Sequence, residues 1–376
     1  GIEGPSDEEH SLITLQGPQT ELNVVKGNYI GLNAGGTTGL GSCEFGISIY
    51  NEAHHNTIGP DNVISGRPAG GINFPSGNTN NTSIIGNFIG TNFNGTGAIP
   101  NSVGIRMRNS ANNTIGGPLL PDGTLGPEGN IISGNSSDGI YIYGESSTEN
   151  VIMGNYIGLG SDGSDEYGNG RDGIHLNDAT NNLIGGILPV ARNSIAGNTR
   201  AGVWIETGPE ASAGNKVQGN YIGLGSNGGD IRGNEYAGVR IDGPFNTIGG
   251  TEPGAGNVIS GNEVYGIQIS NNYSVENVIQ GNIIGLDHTG TESTNSDGVP
   301  ITERGIELDL CMNNHIGGAE KNARNIISDN RVGIEIVGSD ESPFSSNHII
   351  IGNFIGTDIT GKISLGNRND GIRVSY

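Results

Sequence analysis

An internal repeat constrains the fold of this chain more than any other feature of its sequence. A four-residue motif, Gly followed by Ile or Val, any residue and then an apolar residue, occurs eleven times. Its copies begin at Gly46, Gly71, Gly104, Gly139, Gly173, Gly202, Gly238, Gly266, Gly305, Gly333 and Gly371. The steps between copies are roughly 25 to 39 residues and alternate between shorter and longer, which indicates a solenoid built from pairs of coils.

Two further short apolar runs lie between successive copies of the motif. Each run is introduced by Asn and closed by Gly with Asn or a second Gly, as at residues 246–250 and 257–262. Gly and Asn adopt positive φ at little cost, so they predict tight corners between three short strands in each coil. Because the same order of runs returns in the same direction, equivalent strands must lie parallel to one another.

The repeat therefore predicts an all-β, single-domain, right-handed parallel β-helix of about eleven coils, which occupies residues 23–376. The second and fourth motif residues, such as Ile47 and Ile49, are expected to face the bore. At ~4.8 Å per coil, the rod is on the order of 50 Å long. Cys43 and Cys311 lie about eight coils apart, roughly 38 Å, which excludes a disulfide between them.

Composition limits the function classes of the chain. Glycine is abundant at 69 residues, charged residues make up only 15%, and the formal net charge is −22. Such an acidic surface repels nucleic acid and anionic membranes, and favours cations or neutral glycans as partners. No apolar stretch is long enough to insert into a membrane, so we expect a mature, secreted protein without membrane insertion.

The phrase at residues 246–262, Asn-Thr-Ile-Gly-Gly, a Gly-rich loop and then Asn-Val-Ile-Ser-Gly-Asn, resembles the parallel β-helix repeats of bacterial secreted and surface proteins. More broadly, the sequence is similar to the pectate-lyase-like superfold over about residues 23–376. This resemblance implies the fold and an extracellular or cell-surface location. It does not extend to the Asn-Thr-Asp and paired-Asp pattern of polygalacturonases, or to an Arg-x-x-Arg-x-Pro segment of lyases.

Two columns of outward-facing residues are the candidate glycan-binding surface. The third motif residue and the residue after the fourth are expected to face solvent. Aromatic rings suit stacking on sugars, and arginines suit pairing with uronate carboxylates. The predicted substrate-binding residues are Arg106, Arg108, Tyr141, Tyr143, Trp204, Arg240 and Glu307.

Carboxylates on the same face are candidate catalytic residues of a polysaccharide lyase or glycoside hydrolase. Glu206 and Asp242 fall in adjacent coils, close to the ~5 Å carboxyl separation of retaining glycosidases. Asp242 and Asp309 fall two coils apart, closer to the inverting range. His175, with Asp172 to orient it, is a candidate general base. The alternative interpretation is an ordinary polar surface with scattered aromatic residues.

An acidic loop is a candidate calcium site. Asp162, Asp165 and Glu166 follow one of the longer-coil phrases, and oxygen ligands on such a loop suit Ca²⁺. Their spacing differs from that of an EF-hand, so turn formation is the alternative role of these residues.

The two ends of the chain suggest a second class of function. Residues 1–22, with Pro5, Asp7, Glu8 and Glu9, fit a cap or an irregular first coil. The sequence stops at Tyr376 within a predicted strand and without a polar cap. We therefore expect either a module of something longer or an edge covered by another subunit. The rival to a glycan-binding enzyme is a non-catalytic stalk, adhesive or filament module that associates end to end or laterally.

Overall fold

A computed structural model describes residues 10–41, 43–120, 123–206, 208, 214–294, 302–338 and 345–375. Within these residues the chain forms three parallel sheets that run the length of a right-handed parallel β-helix, as the repeat predicts. Each coil contributes one strand to each sheet, and every strand pairs with the equivalent strands of the coils before and after it. The two short 3-10 helices of the described chain span Pro189–Ala191 and Lys321–Ala323.

The first sheet contains the repeated motif and has 12 strands in the described chain. Its strands are Ser11–Gln16, Phe45–Tyr50, Gly70–Phe74, Val103–Arg108, Ile140–Tyr143, Ile174–Asn177, Ala201–Glu206, Ala237–Asp242, Tyr265–Ser270, Arg304–Asp309, Val332–Val337 and Asp370–Ser375.

The second and third sheets have 11 strands each among the described residues. The second sheet comprises Val24–Val25, Thr57–Ile58, Ser83–Ile84, Thr114–Ile115, Val151–Ile152, Leu183–Gly185, Lys216–Gln218, Thr247–Gly249, Val278–Gln280, His315–Gly317 and Ile349–Ile351. The third sheet comprises Tyr29–Ile30, Val63–Ile64, Phe88–Ile89, Ile131–Ile132, Tyr156–Ile157, Ser194–Ile195, Tyr221–Ile222, Val258–Ile259, Ile283–Ile284, Ile326–Ile327 and Phe354–Ile355.

One strand lies in the segment that the sequence analysis assigned to a cap or an irregular first coil. Ser11–Gln16 pairs in parallel with Phe45–Tyr50, so the first sheet begins one strand before the first copy of the motif. Residues 1–9, which include Pro5, Asp7, Glu8 and Glu9, lie outside the described residues, so the cap itself stays a prediction.

The bore is filled by aliphatic side chains, as the motif predicts. Ile47, Ile140 and Ile334 are fully buried and belong to one continuous core cluster that is dominated by isoleucine. Cys311 is also buried in this cluster, and burial raises the pKa of its thiol to about 12. Both cysteines are free, in agreement with the predicted separation of Cys43 and Cys311.

Buried asparagines form ladders along the corners of the coils. Asn220 shows the pattern: its Oδ1 accepts hydrogen bonds from the backbone N and the Nδ2 of Asn193, at 3.2 and 2.9 Å. Its own Nδ2 donates to the carbonyl oxygen of Ile184 at 2.9 Å, and its backbone N donates to Oδ1 of Asn257 at 3.0 Å. Each asparagine of a ladder, which we call a rung, therefore forms hydrogen bonds with backbone groups of neighbouring coils.

The positive φ of a corner falls one residue before the asparagine of the ladder. We expected Gly and Asn to supply it, and Asn does so at several corners, for example Asn112 (φ 56) and Asn181 (φ 52). At other corners a different residue has the positive φ, among them His55 (φ 52), Glu149 (φ 55) and Phe245 (φ 56). The asparagine that follows each of them uses its side chain, rather than its backbone freedom, to hold the corner.

Loops from alternate coils form a second stacked feature, which we call the loop ridge. It consists of residues 32–39, 91–98, 159–166, 224–231, 286–293 and 357–364, and each of these segments is closed by an antiparallel bridge. Successive loops are bonded through the backbone, for example from Ser226 N to Gly163 O at 2.9 Å. The two-coil period of the sequence is thus the period of this ridge.

We predict that Asn220→Ala destabilises the protein by roughly 1–3 kcal/mol for each buried backbone group that loses its only partner. Urea unfolding followed by circular dichroism measures the effect. The control is Asn272→Ala, because Asn272 is exposed and should leave the unfolding midpoint unchanged. Equal midpoints for the two variants would contradict a stabilising role of the ladder.

Candidate functional site

The register of the first sheet aligns the predicted site residues in two columns. One column runs through Arg106, Tyr141, His175, Trp204, Arg240, Gln268 and Glu307. The other runs through Arg108, Tyr143, Asn177, Glu206 and Asp242, and then through Ser270 to Asp309. Glu206 and Asp242 are therefore direct neighbours, and Asp309 lies two strands beyond Asp242.

The expectation that these columns face solvent is wrong for their central residues. Trp204 is only 8% exposed, His175 and Asp242 are 4% exposed, and Glu307 is 5% exposed. These side chains do lie outside the bore, but parallel strands bring neighbours in a column so close that they cover one another. Outward direction and solvent exposure are therefore different properties on this face.

Ring stacking accounts for the burial of Trp204. The ring of His175 stacks on it at a centroid distance of 4.3 Å, with the two planes 9° apart. The guanidinium carbons of Arg200 and Arg240 lie 4.6 and 5.0 Å from the Trp204 ring. Tyr141 continues the stack on the far side of His175, at 4.9 Å. Trp204 is thus largely surrounded by protein groups.

Glu206 is held by two side chains of the neighbouring strand. His175 Nε2 lies 2.9 Å from Glu206 Oε2, and Asn177 Nδ2 donates to the same oxygen at 3.1 Å. The hydrogen bond from His175 is the main cause that lowers the pKa of Glu206, against the opposing effect of burial. His175 is therefore hydrogen-bonded to Glu206 and not to Asp172, the partner that the sequence analysis chose for it.

Asp242 is the other acceptor at the centre of the face. Trp204 Nε1 and Arg240 Nε donate to its Oδ2 at 2.8 and 2.7 Å. Glu206 and Asp242 are thus both ionisable groups of adjacent strands, and each is fixed by specific donors. Both carboxylates are thus oriented, but Glu206 is the more open to a ligand: its side chain is 38% exposed, against 5% for Asp242.

A groove of 560 Å³ opens beside these carboxylates. It is lined by Asn177, Asp178, Arg200, Trp204, Glu206, Gly208, Arg240, Asp242, Asn271 and Tyr273. Several lining residues, such as Arg200 and Tyr273, lie outside the repeated motif in the turns beside the strands, and were not predicted from the sequence. Asp178 and Asn271 do share a signal, since both have positive φ just after a strand of the first sheet (φ 50 and 86).

The remaining predicted residues lie on either side of this centre. Towards the N-terminus, Arg106 donates to the Tyr143 hydroxyl through Nε and Nη2, at 3.3 and 3.2 Å. Tyr141 and Tyr143 are stacked at 4.8 Å, and Arg108 is exposed. The face thus begins with an aromatic and basic patch.

Towards the C-terminus the face becomes acidic. Glu307 accepts a hydrogen bond from Gln268 Nε2 at 3.0 Å and lies 3.1 Å from Arg304 Nε. Burial raises the pKa of Glu307. Burial also raises the pKa of Asp309, and the negative charge of Asp242 adds to that shift. Asp309 therefore keeps its proton to a higher pH than an ordinary aspartate.

The predicted calcium loop belongs to the loop ridge. Asp162 Oδ1 accepts the backbone N–H groups of Ser164 and Asp165, both at 2.9 Å. Glu166 lies 3.8 Å from Arg232 Nε. Two groups of three converging metal-ligating side chains occur among the described residues, and neither contains Asp162, Asp165 or Glu166. The bonds of Asp162 are those of a turn residue, and calcium binding by this loop stays a prediction.

Comparison with known proteins shows likeness in fold only. No protein-family model matches the sequence, and no curated protein matches it either. The periplasmic alginate epimerase AlgG has a TM-score of 0.49 and 13% identity, over 88% of this chain and 75% of that chain. The Dettilon tailspike protein has a TM-score of 0.45 and 15% identity, over 97% of this chain and 60% of the tailspike chain. PfbA, a surface adhesin of Streptococcus pneumoniae, has a TM-score of 0.29 and 12% identity, over 78% of this chain and 75% of the PfbA chain.

We predict that Trp204→Ala destabilises the protein by about 3 kcal/mol, the lower end for removing a buried aromatic ring. The measurement is the free energy of unfolding in urea. Trp204→Phe is the matched variant, since it keeps a ring beside His175 but lacks the indole N–H. A Trp204→Ala protein as stable as the original would show that the ring is not packed as described.

Proposed function

We propose that this protein binds a polysaccharide in the groove on the first sheet, outside the cell or at a cell surface. The observation that carries the proposal is the groove itself, an open volume of 560 Å³ along consecutive strands of a rod. Its lining offers amides, carboxylates, guanidinium groups and the ring of Tyr273, which together suit sugar hydroxyls and sugar faces. In the described chain, no helix is long and apolar enough to cross a bilayer.

The charge of the groove favours a neutral or basic glycan. Arg200 lies 3.4 Å from Asp172, and Arg240 is bonded to Asp242, so both arginines are already paired with carboxylates. Asp178 and Glu206 add further negative charge, and the whole chain has a net charge of −22. A polyuronate would be repelled by this field, whereas a neutral sugar or an amino sugar would not. This preference follows the neutral glycans that the net charge favours in the sequence, and it leaves Arg200 and Arg240 less able to pair with uronates.

We predict that Tyr273→Ala weakens glycan binding about tenfold, since a stacked aromatic ring contributes roughly 1 kcal/mol or more. Glycan arrays that include neutral, basic and acidic polysaccharides identify the ligand, and titration calorimetry measures its affinity. Tyr50→Ala is the matched control, because Tyr50 lies in the outer column of Glu206 and Asp242 but five strands away from Ala201–Glu206 and six from Ala237–Asp242. Equal affinities of the two variants would place the binding site elsewhere.

A second candidate function is hydrolysis of the bound glycan, and the raised pKa of Asp309 favours it. An inverting glycosidase needs a protonated carboxylic acid and a carboxylate roughly 6.5–9.5 Å apart. Asp309 holds its proton above the usual range, and Asp242 lies two strands away, or ~9.6 Å along the rod. The Glu206 and Asp242 pair suits hydrolysis less, because the pKa of Glu206 is lowered and that carboxyl is a poor proton donor.

We predict that any hydrolysis falls at least 100-fold in Asp309→Asn, which removes the acidic proton. Activity should also fall as the pH rises through the raised pKa of Asp309. Reducing-sugar release measures hydrolysis, and absorbance of unsaturated products detects lyase chemistry. Asp329→Asn is the control, since burial also raises the pKa of Asp329 and that residue lies outside the first sheet.

A non-catalytic adhesive or structural module is the alternative to the enzyme. It predicts intact glycan binding without product release, and the same two assays distinguish the outcomes. If Asp309→Asn leaves an observed hydrolysis unchanged, the inverting pair proposed above is wrong, while glycan binding in the groove would stand.

A further inference from the structure

Three metal-ligating side chains converge next to the groove: Asp172 and His175 contact its lining residues Arg200 and Trp204, but none of the three lines it. Asp138 and Asp172 precede the motif glycines of adjacent coils, and His175 is the third residue of the motif after Asp172. One ligand atom from each residue lies within 4.8 Å of the other two. All three residues are buried, with exposed fractions of 3%, 1% and 4%. Such a group is too well enclosed to be an incidental cluster of surface acids.

The hydrogen bonds around this group leave an acceptor without a donor. His175 Nε2 is bonded to Glu206, so the atom that His175 offers to the group is Nδ1. Neither Nδ1 of His175 nor Oδ2 of Asp172 has a hydrogen-bond partner within the described chain, although both atoms are buried. When the imidazole is neutral and its proton is on Nε2, Nδ1 presents a lone pair to carboxylate oxygens. That contact is repulsive unless a proton or a metal cation lies between them.

Two arginines pair with the carboxylates of this group, but neither provides the positive charge between those carboxylates and His175 Nδ1. Arg200 Nη1 lies 3.4 Å from Asp172 Oδ2, and Arg171 Nη1 lies 3.7 Å from Asp138 Oδ2. Both contacts are ion pairs, and neither supplies a donor to Nδ1 of His175. Arg171 and Arg200 are also partly exposed and have room to move aside for an ion.

We infer that Asp138, Asp172 and His175 bind a divalent transition-metal ion, with Zn²⁺ as the best match. Zinc takes imidazole nitrogen and carboxylate oxygen at about 2.0–2.2 Å, and small side-chain rotations would bring the three ligand atoms to that distance. Calcium is a poorer match, because it takes six to eight oxygen ligands. Glu206 serves as the outer partner, since a metal-binding imidazole usually donates its other N–H to a carboxylate.

This ion would cross-link consecutive coils, and its binding would be detectable in the fluorescence of Trp204. Asp138 and Asp172 belong to neighbouring coils, so a shared ion adds a link along the rod. Trp204 is the only tryptophan of the chain, and its ring is stacked on the ring of His175 at 4.3 Å. A metal on His175 therefore changes the surroundings of the indole directly. The inference is independent of glycan binding.

The experiment treats the full chain with a chelator, removes the chelator and titrates ZnCl₂ by calorimetry. We expect about one Zn²⁺ per chain, a change in Trp204 emission with the same saturation, and a higher melting temperature with Zn²⁺. An excess of Mg²⁺ should not displace the ion, because imidazole disfavours Mg²⁺. A folded, chelator-treated protein that binds no Zn²⁺ would overturn the inference whatever the variants do.

Variants locate the ion. Asp172→Asn and His175→Gln should each weaken Zn²⁺ binding at least tenfold, and Glu206→Ala about 10–100-fold. His55→Ala is the matched control, because Glu21, His54 and His55 form the other converging group of the described chain, on its surface. If Asp172→Asn does not fold, Asp138→Asn takes its place. Zn²⁺ binding that survives in these variants but is lost in His55→Ala would place the ion at the surface group and overturn the inference.

Discussion

The asparagine ladders are the interaction on which the rest of this structure depends. A coil of three short strands must turn three times, and its buried corner backbone has no water to bond with. The amide of Asn carries both a donor and an acceptor at the reach of one short side chain, so each rung bonds the coils on both sides. Only then can isoleucines stack without interruption in the bore and the outer columns remain in register.

The places where a ladder lacks Asn show how specific this requirement is. Thr82 occupies one rung, and its backbone N still donates to Asn113 Oδ1 at 2.9 Å, but its hydroxyl has no partner in the described chain. His348 occupies another rung and accepts from Asn314 N through Nδ1 at 3.3 Å. Burial lowers the pKa of His348 to about 4, so the ring is neutral at ordinary pH and its nitrogen can act as an acceptor.

The sequence predicts the scaffold of this protein better than its surface chemistry. The repeated motif locates most strands of the first sheet and aligns Glu206 with Asp242, because register in a solenoid follows directly from the phase of the repeat. It does not predict the burial of Trp204, which depends on which residue happens to lie one coil away. Nor does it predict Arg200 and Tyr273 in the groove, because turns between strands vary in length and carry no period.

The loop ridge restricts how a rod of this kind can change its length. Its loops come from every second coil and are bonded to one another across the intervening coil, as Ser226 is to Gly163. Removal or duplication of a single coil would set two loops side by side, or leave a gap, even though the bore and the ladders would continue unbroken. The rod can therefore gain or lose coils without interrupting the loop ridge only in even numbers.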